Sequence, residues 1–120
     1  MTPFDEQWAR CEPWLAAALE HAGGTHLIED VREACLDGRM QFWPGRNAAI
    51  VTEINTYPRL RALAFFLTGG ALEELLAMEP VIVEWARSIG CTRAECGGRP
   101  GWERVLKDYR RLCVCLTKEI

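Results

Sequence analysis

The chain has 120 residues, of which 49% are hydrophobic and 26% charged, and its formal net charge is −3. That length suits one domain and is too short for two, and the composition excludes a disordered chain. The acidic balance weighs against a nucleic-acid binder, which carries a basic face.

Residues 5–22 read as a helix. Trp8, Cys11, Leu15, Ala18 and Ala22 recur at spacings of three and four and so share one face. Pro13 either kinks this helix or opens a second short one, where its missing amide costs nothing. Gly23 and Gly24 end the segment. Thr25 is placed to cap a helix over residues 26–37, with Glu29 and Asp30 near its positive end. Leu27, Ile28, Val31, Ala34 and Cys35 form its apolar face, and Gly38 follows as a left-handed cap.

The period then drops to two. Residues 40–43 form a short strand, followed by a Pro-Gly-Arg-Asn turn at 44–47. Over residues 48–55, Ile50, Thr52 and Ile54 alternate with Ala49, Val51 and Glu53, the pattern of a half-buried strand. After a turn at 56–59, the nearly continuous apolar run 60–67 suits a central strand. Three strands with short connections predict an antiparallel meander.

Thr68, Gly69 and Gly70 read as the turn from that strand into a helix over residues 71–89. Leu72, Leu75, Leu76, Ile82, Val83, Trp85 and Ala86 form its core face, Pro80 splits or kinks it, and Gly90 caps it. Residues 92–96 are strand-like and 97–101 form a tight glycine-rich loop. Trp102, Val105, Leu106 and Tyr109 lie at helical spacing, and residues 112–117 read as a last strand. The expected fold is a single α/β (α+β) domain over residues 1–120. Helices flank its mostly antiparallel sheet, in the order αα-βββ-α-β-α-β.

Six cysteines raise the question of a disulfide scaffold. None shares a CxxC spacing, and the start Met-Thr-Pro-Phe-Asp-Glu has neither the basic residues nor the apolar run of a signal peptide. A reducing, cytoplasmic setting is therefore expected, with Cys113 and Cys115 acting as small core groups around Val114. With only His21 and His26 to join them, no metal site is expected. No stretch reaches the ~18 apolar residues needed to span a bilayer, so no membrane partner is expected either. Arg99, Arg104, Lys107, Arg110 and Arg111 crowd together and form either a solvated helix face or a contact for an anion.

Three segments carry a resemblance: residues 48–58 (AAIVTEINTYP), 85–91 (WARSIGC) and 97–106 (GGRPGWERVL). They resemble small acetyltransferase-like proteins encoded in bacteriophages and prophages, often near virion genes. The element order likewise resembles the GCN5-related N-acetyltransferase (GNAT-like) fold without its first strand. In that family two helices precede a three-strand meander, and a glycine-containing loop leads into a long helix, a strand, a short helix and a final strand.

The resemblance implies specific roles. Acetyl-CoA would place its pyrophosphate at Thr68, Gly69, Gly70 and Ala71, where free amides at a helix N-terminus favour an anion. The family's leading Arg or Gln and its full glycine spacing are absent here, and two adjacent glycines also serve any tight turn. Glu53, the one carboxylate of the meander strands, would be the general base; a solvated strand residue is the alternative. Tyr109 would protonate the departing thiolate, or else lies in the core with its hydroxyl at the surface. The glycine and aromatic that usually follow that tyrosine are replaced by Leu112 and Cys113. Apart from the resemblance, Trp43 and Trp102 sit beside Pro-Gly turns, where each is a candidate anchor for a protein interface or else fills the core. Two functions are in view: a binding or virion-associated module that keeps the fold without its chemistry, or an active acetyl-CoA-dependent N-acetyltransferase. The partner expected of the first is a protein, either a second copy or a virion component.

Overall fold

A reciprocal cap starts the chain. In the computed structural model, which describes residues 2–98 and 101–120, the Thr2 hydroxyl accepts the Asp5 amide at 3.1 Å. The Asp5 carboxylate accepts the Thr2 amide at 3.2 Å. With Pro3 at the first helical position, α1 therefore begins earlier than its apolar period suggests and spans Pro3–Leu19. It runs through Pro13 and buries Trp8, Cys11 and Leu15. A second helix, α2 (Ile28–Leu36), opens at Leu27 rather than Thr25. The Asp30 carboxylate reaches back to accept the Leu27 amide at 2.8 Å, while the Thr25 hydroxyl lies 2.6 Å from His26 Nδ1.

The meander follows as β1 (Met40–Pro44), β2 (Ala48–Thr56) and β3 (Arg61–Gly70), with both pairings antiparallel. Helix α3 (Leu72–Ser88) then crosses over and delivers β4 (Arg93–Cys96) parallel to β3. The result is a mixed α/β fold whose four-stranded sheet runs β1-β2-β3-β4 with helices on both faces. On one face α1 and α2 pack Trp8, Leu15 and Val31 against Ala49, Val51 and Leu67. On the other, Leu75, Ile82 and Ala86 of α3 pack against Ile50, Leu63 and Phe65. Being covered on both sides, β2 is buried continuously from Ala48 to Thr52.

Four expectations need correction. Thr68, Gly69 and Gly70 are not a loop; they are the last residues of β3, opposite Ile50, Ala49 and Ala48. Both glycines have a packing reason to be there. A Cβ on Gly69 would overlap the Trp14 backbone, and Gly70 combines a φ of +104° with close approach to Asn47 and Ala48. The helix expected over 102–109 is a single turn, α4 (Trp102–Val105). Residues 112–117 form no strand with the rest of the chain, and Cys113 and Cys115 are exposed rather than in a core.

Candidate functional site

The site is created by two parallel strands that part. β3 and β4 pair from Ala62 with Arg93 to Phe65 with Cys96, and there the ladder stops. β4 ends at Cys96 and gives way to Gly97 and Gly98, whereas β3 runs on to Gly70. A bulge sits at the point of parting. Val51 opposes Leu67 but Thr52 opposes Phe65, so Phe66 is an extra residue in β3. Bulges of this kind bend a strand and raise its twist. Beyond Phe65 the side of β3 that faced β4 is, among the described residues, an open backbone edge.

A cleft of about 350 Å³ fills the parting on the face covered by α1. Glu53 and Ala64 form part of its floor and the end of α1 brings up Ala18. His21 and Ala22 follow that helix, while Gly97, Gly98 and Trp102 close the far side. This is at the small end of ligand sites, which span roughly 300–1,000 Å³. Glu53 is half-buried. It opposes Ala64, which in turn opposes Glu95, so two carboxylates flank one alanine across the sheet, about 10 Å apart by the usual strand spacing. Glu95 Oε1 is shielded from solvent and has no hydrogen-bond partner among the described residues. Of the two carboxylates only Glu53 lines the cleft, and a carboxylate beside an open backbone edge suits a cationic group on an extended chain.

On the opposite face lies a smaller cavity of about 30 Å³, which shares Phe65, Thr68 and Trp102 with the cleft. Tyr109 lines it with Glu79, Cys96 and Leu106. Burial, reinforced by the Glu79 carboxylate, pushes the Tyr109 phenol well above its ordinary range, so it stays protonated. Burial likewise raises the Cys96 thiol. Glu53 and Tyr109, two positions singled out from the sequence, thus approach the parting from opposite faces of the sheet.

The remaining positions fall out differently. Thr68 lines both cavities, but the residues from Thr68 to Ala71 do not fit a pyrophosphate. Three are paired in the sheet, the Ala71 amide donates to the Asn47 carbonyl at 2.9 Å, and the Trp14 and Asn47 backbones cover the glycines. The first turn of α3 carries Glu73 and Glu74, which repel an anion, and the Glu74 carboxylate already accepts the Asn47 amide at 2.8 Å. Trp43 is half-buried in the α3-side core. Its indole N–H donates to Thr52 Oγ1 at 2.9 Å, and its ring meets Trp85 edge-on at 5.2 Å. Trp102 is the half-buried partition between the two cavities. Arg99, one of the basic cluster, lies outside the described residues; Arg111 of that cluster pairs with Glu103.

The chain matches no family model, no curated protein and no solved structure. Among the described residues no cluster of His, Cys, Asp or Glu could hold a metal ion, and no helix is long and apolar enough to cross a membrane.

Sequence reasoning missed His21, Ala64, Phe66 and Glu95. The bulge at Phe66 left no mark in the apolar run that contains it, and Glu95 joins the row only because β4 docks in one register. The adjacent glycines 97 and 98 were the one available signal that β4 stops short.

Proposed function

We propose that this chain is a non-catalytic protein-binding module of GNAT-like design. An extended segment of a partner protein lies along the β3 edge beyond Phe65 and sets a lysine or arginine against Glu53. The parting of β3 from β4 carries this reading, because it leaves an unpaired strand edge inside a walled cleft. Such edges recruit extended peptides through main-chain hydrogen bonds, and flanking pockets select the side chains. The strand-bound glycines and the acidic start of α3 count against acetyl-CoA as the occupant. The resemblance to small phage-encoded proteins makes a virion structural protein the first partner to try.

Panning a library of linear peptides against the immobilised protein tests this directly. Short extended sequences bearing a lysine or arginine should be enriched, and Glu53→Gln should weaken them by about tenfold or more, the worth of one charge-assisted hydrogen bond. Peptides indifferent to that substitution, or no enrichment at all, would defeat the proposal.

The placement of Glu53 and Tyr109 on either side of the parting favours one second reading, an active N-acetyltransferase. Acetyl-CoA separates the two. The binding-module reading expects an unchanged melting temperature. Saturable stabilisation, about 2.7 kcal/mol at a hundredfold excess over Kd, would put the second reading first.

A further inference from the structure

We infer that residues 112–117 are a fifth strand, which pairs with the outer edge of β4 in a second copy of this chain, so that two copies exchange their tails. Leu112, Val114 and Leu116 alternate with Cys113, Cys115 and Thr117, the period of a strand with one apolar face. Among the described residues of the single chain nothing covers that face: the three side chains are 56%, 68% and 88% exposed. Every residue from 110 to 120 is exposed as well. An apolar, strand-patterned segment held in water is incomplete without a sheet to join.

The edge it would join is on the same molecule. Among the described residues β4 is the last strand of the sheet and pairs only with β3, so its outer amides and carbonyls have no ladder partner there. Ala94 and Cys96 give that edge a small apolar face on the α3 side, where Leu112, Val114 and Leu116 can extend the core. On the other side Glu95 has a shielded oxygen without a partner among the described residues, and Arg110 and Lys118 flank the incoming segment with positive charge.

The hinge decides between a chain's own edge and its neighbour's. Tyr109 is half-buried against Glu79 and Cys96, and Arg111 is tied to Glu103. Only Arg110 and Arg111 separate the tyrosine anchor from the segment, which leaves the body instead of turning onto the β4 beside it. A short, constrained hinge between an anchored element and an exposed strand-patterned segment favours exchange between copies over closure within one. A twofold exchange completes both edges and buries both tails with no third component. The outer edge of β4 is distinct from the β3 edge in the cleft, so this inference stands or falls independently of what the cleft binds.

Light scattering coupled to size exclusion, with hydrogen exchange read by mass spectrometry, provides the test. The wild-type protein should elute at twice its 13.6 kDa chain mass, with the amides of residues 112–117 protected. Val114→Pro, which removes a ladder donor in the segment, should halve that mass, expose those amides and leave the helical circular dichroism signal unchanged. A wild-type monomer, whether its tail is protected or not, overturns the inference. So does a dimer that survives Val114→Pro, or one whose tail amides exchange freely.

Discussion

Gly69 of β3 lies flush against the Trp14 carbonyl of α1, close enough that any Cβ at position 69 would overlap it. This contact locks the end of the sheet under the first helix, on the side where the cleft opens. It also explains the glycine without reference to a ligand. Gly69→Ala should therefore destabilise the fold by about 1–3 kcal/mol, the cost of overpacking against a neighbour that cannot yield. A urea denaturation midpoint measures it. A change below about 0.5 kcal/mol, typical of surface positions, would mean that α1 shifts freely and the contact is not structural.

Thr52 is the buried polar residue at the centre of the sheet, where it joins two neighbours. Its hydroxyl accepts the Trp43 indole N–H and donates to Gln41 Oε1, both at 2.9 Å. Thr52→Val keeps the shape and strands both partners, so a loss of about 1–3 kcal/mol is expected. The effect should be coupled: Trp43→Phe should cost less in the Thr52→Val background than in the wild type. A double-mutant cycle by chemical denaturation reads the coupling, and strictly additive losses would refute it.

Tyr109 makes stability depend on alkaline pH. Its folded-state pKa is raised, first by burial and then by Glu79. In the unfolded chain a tyrosine ionises near pH 10. Below that value both states hold the proton and the contribution is fully present. Above it the unfolded state releases a proton that the folded state retains, so stability falls as pH rises towards the folded pKa. The slope of unfolding free energy against pH should steepen above about pH 10 in the wild type and flatten in Tyr109→Phe. An identical slope in the two proteins would place the phenol in water.

The thiols should sort by burial. Burial pushes Cys35 up to about 11, with Asp37 adding to the shift, and also raises Cys11. Thiolate is the reactive form, so both should resist iodoacetamide near neutral pH, and Cys35 should become reactive only as pH approaches its pKa. Cys113 and Cys115 are exposed and should label first in the Val114→Pro variant, where the tail has no strand to join. Peptide-level mass spectrometry gives the order, and early labelling of Cys35 at neutral pH would contradict its burial.

Much of the fold was legible because its elements have strong local signatures. Trp8, Cys11 and Leu15 keep a helical period and are the buried residues of α1. Ile50 and Val51 alternate and are buried on opposite faces of β2. Boundaries were less legible where a side chain outside the periodic pattern sets them, as Asp30 does by capping α2 at Leu27. The pair Gly69-Gly70 was misread for a related reason. Adjacent glycines permit a turn, but they equally permit close approach of backbones, and only the position of α1 over β3 distinguishes the two. The segment 112–117 has the alternation of a strand, yet a strand exists only where another edge accepts its hydrogen bonds, and periodicity does not report that partner.

The amino-acid sequence by itself determined the order of helices and strands from α1 to β4 and the presence of Glu53 on the second strand of the meander. These follow from side-chain period and local backbone preference, which act between near neighbours in the chain. Only the tertiary structure decided that β4 runs parallel to β3, that the two part after Phe65 and Cys96, and that Glu53, Ala64 and Glu95 fall in one row. Those relationships depend on register between strands some thirty residues apart in sequence. Register is set by packing of the finished core, because a slip of one residue would turn every side chain to the other face.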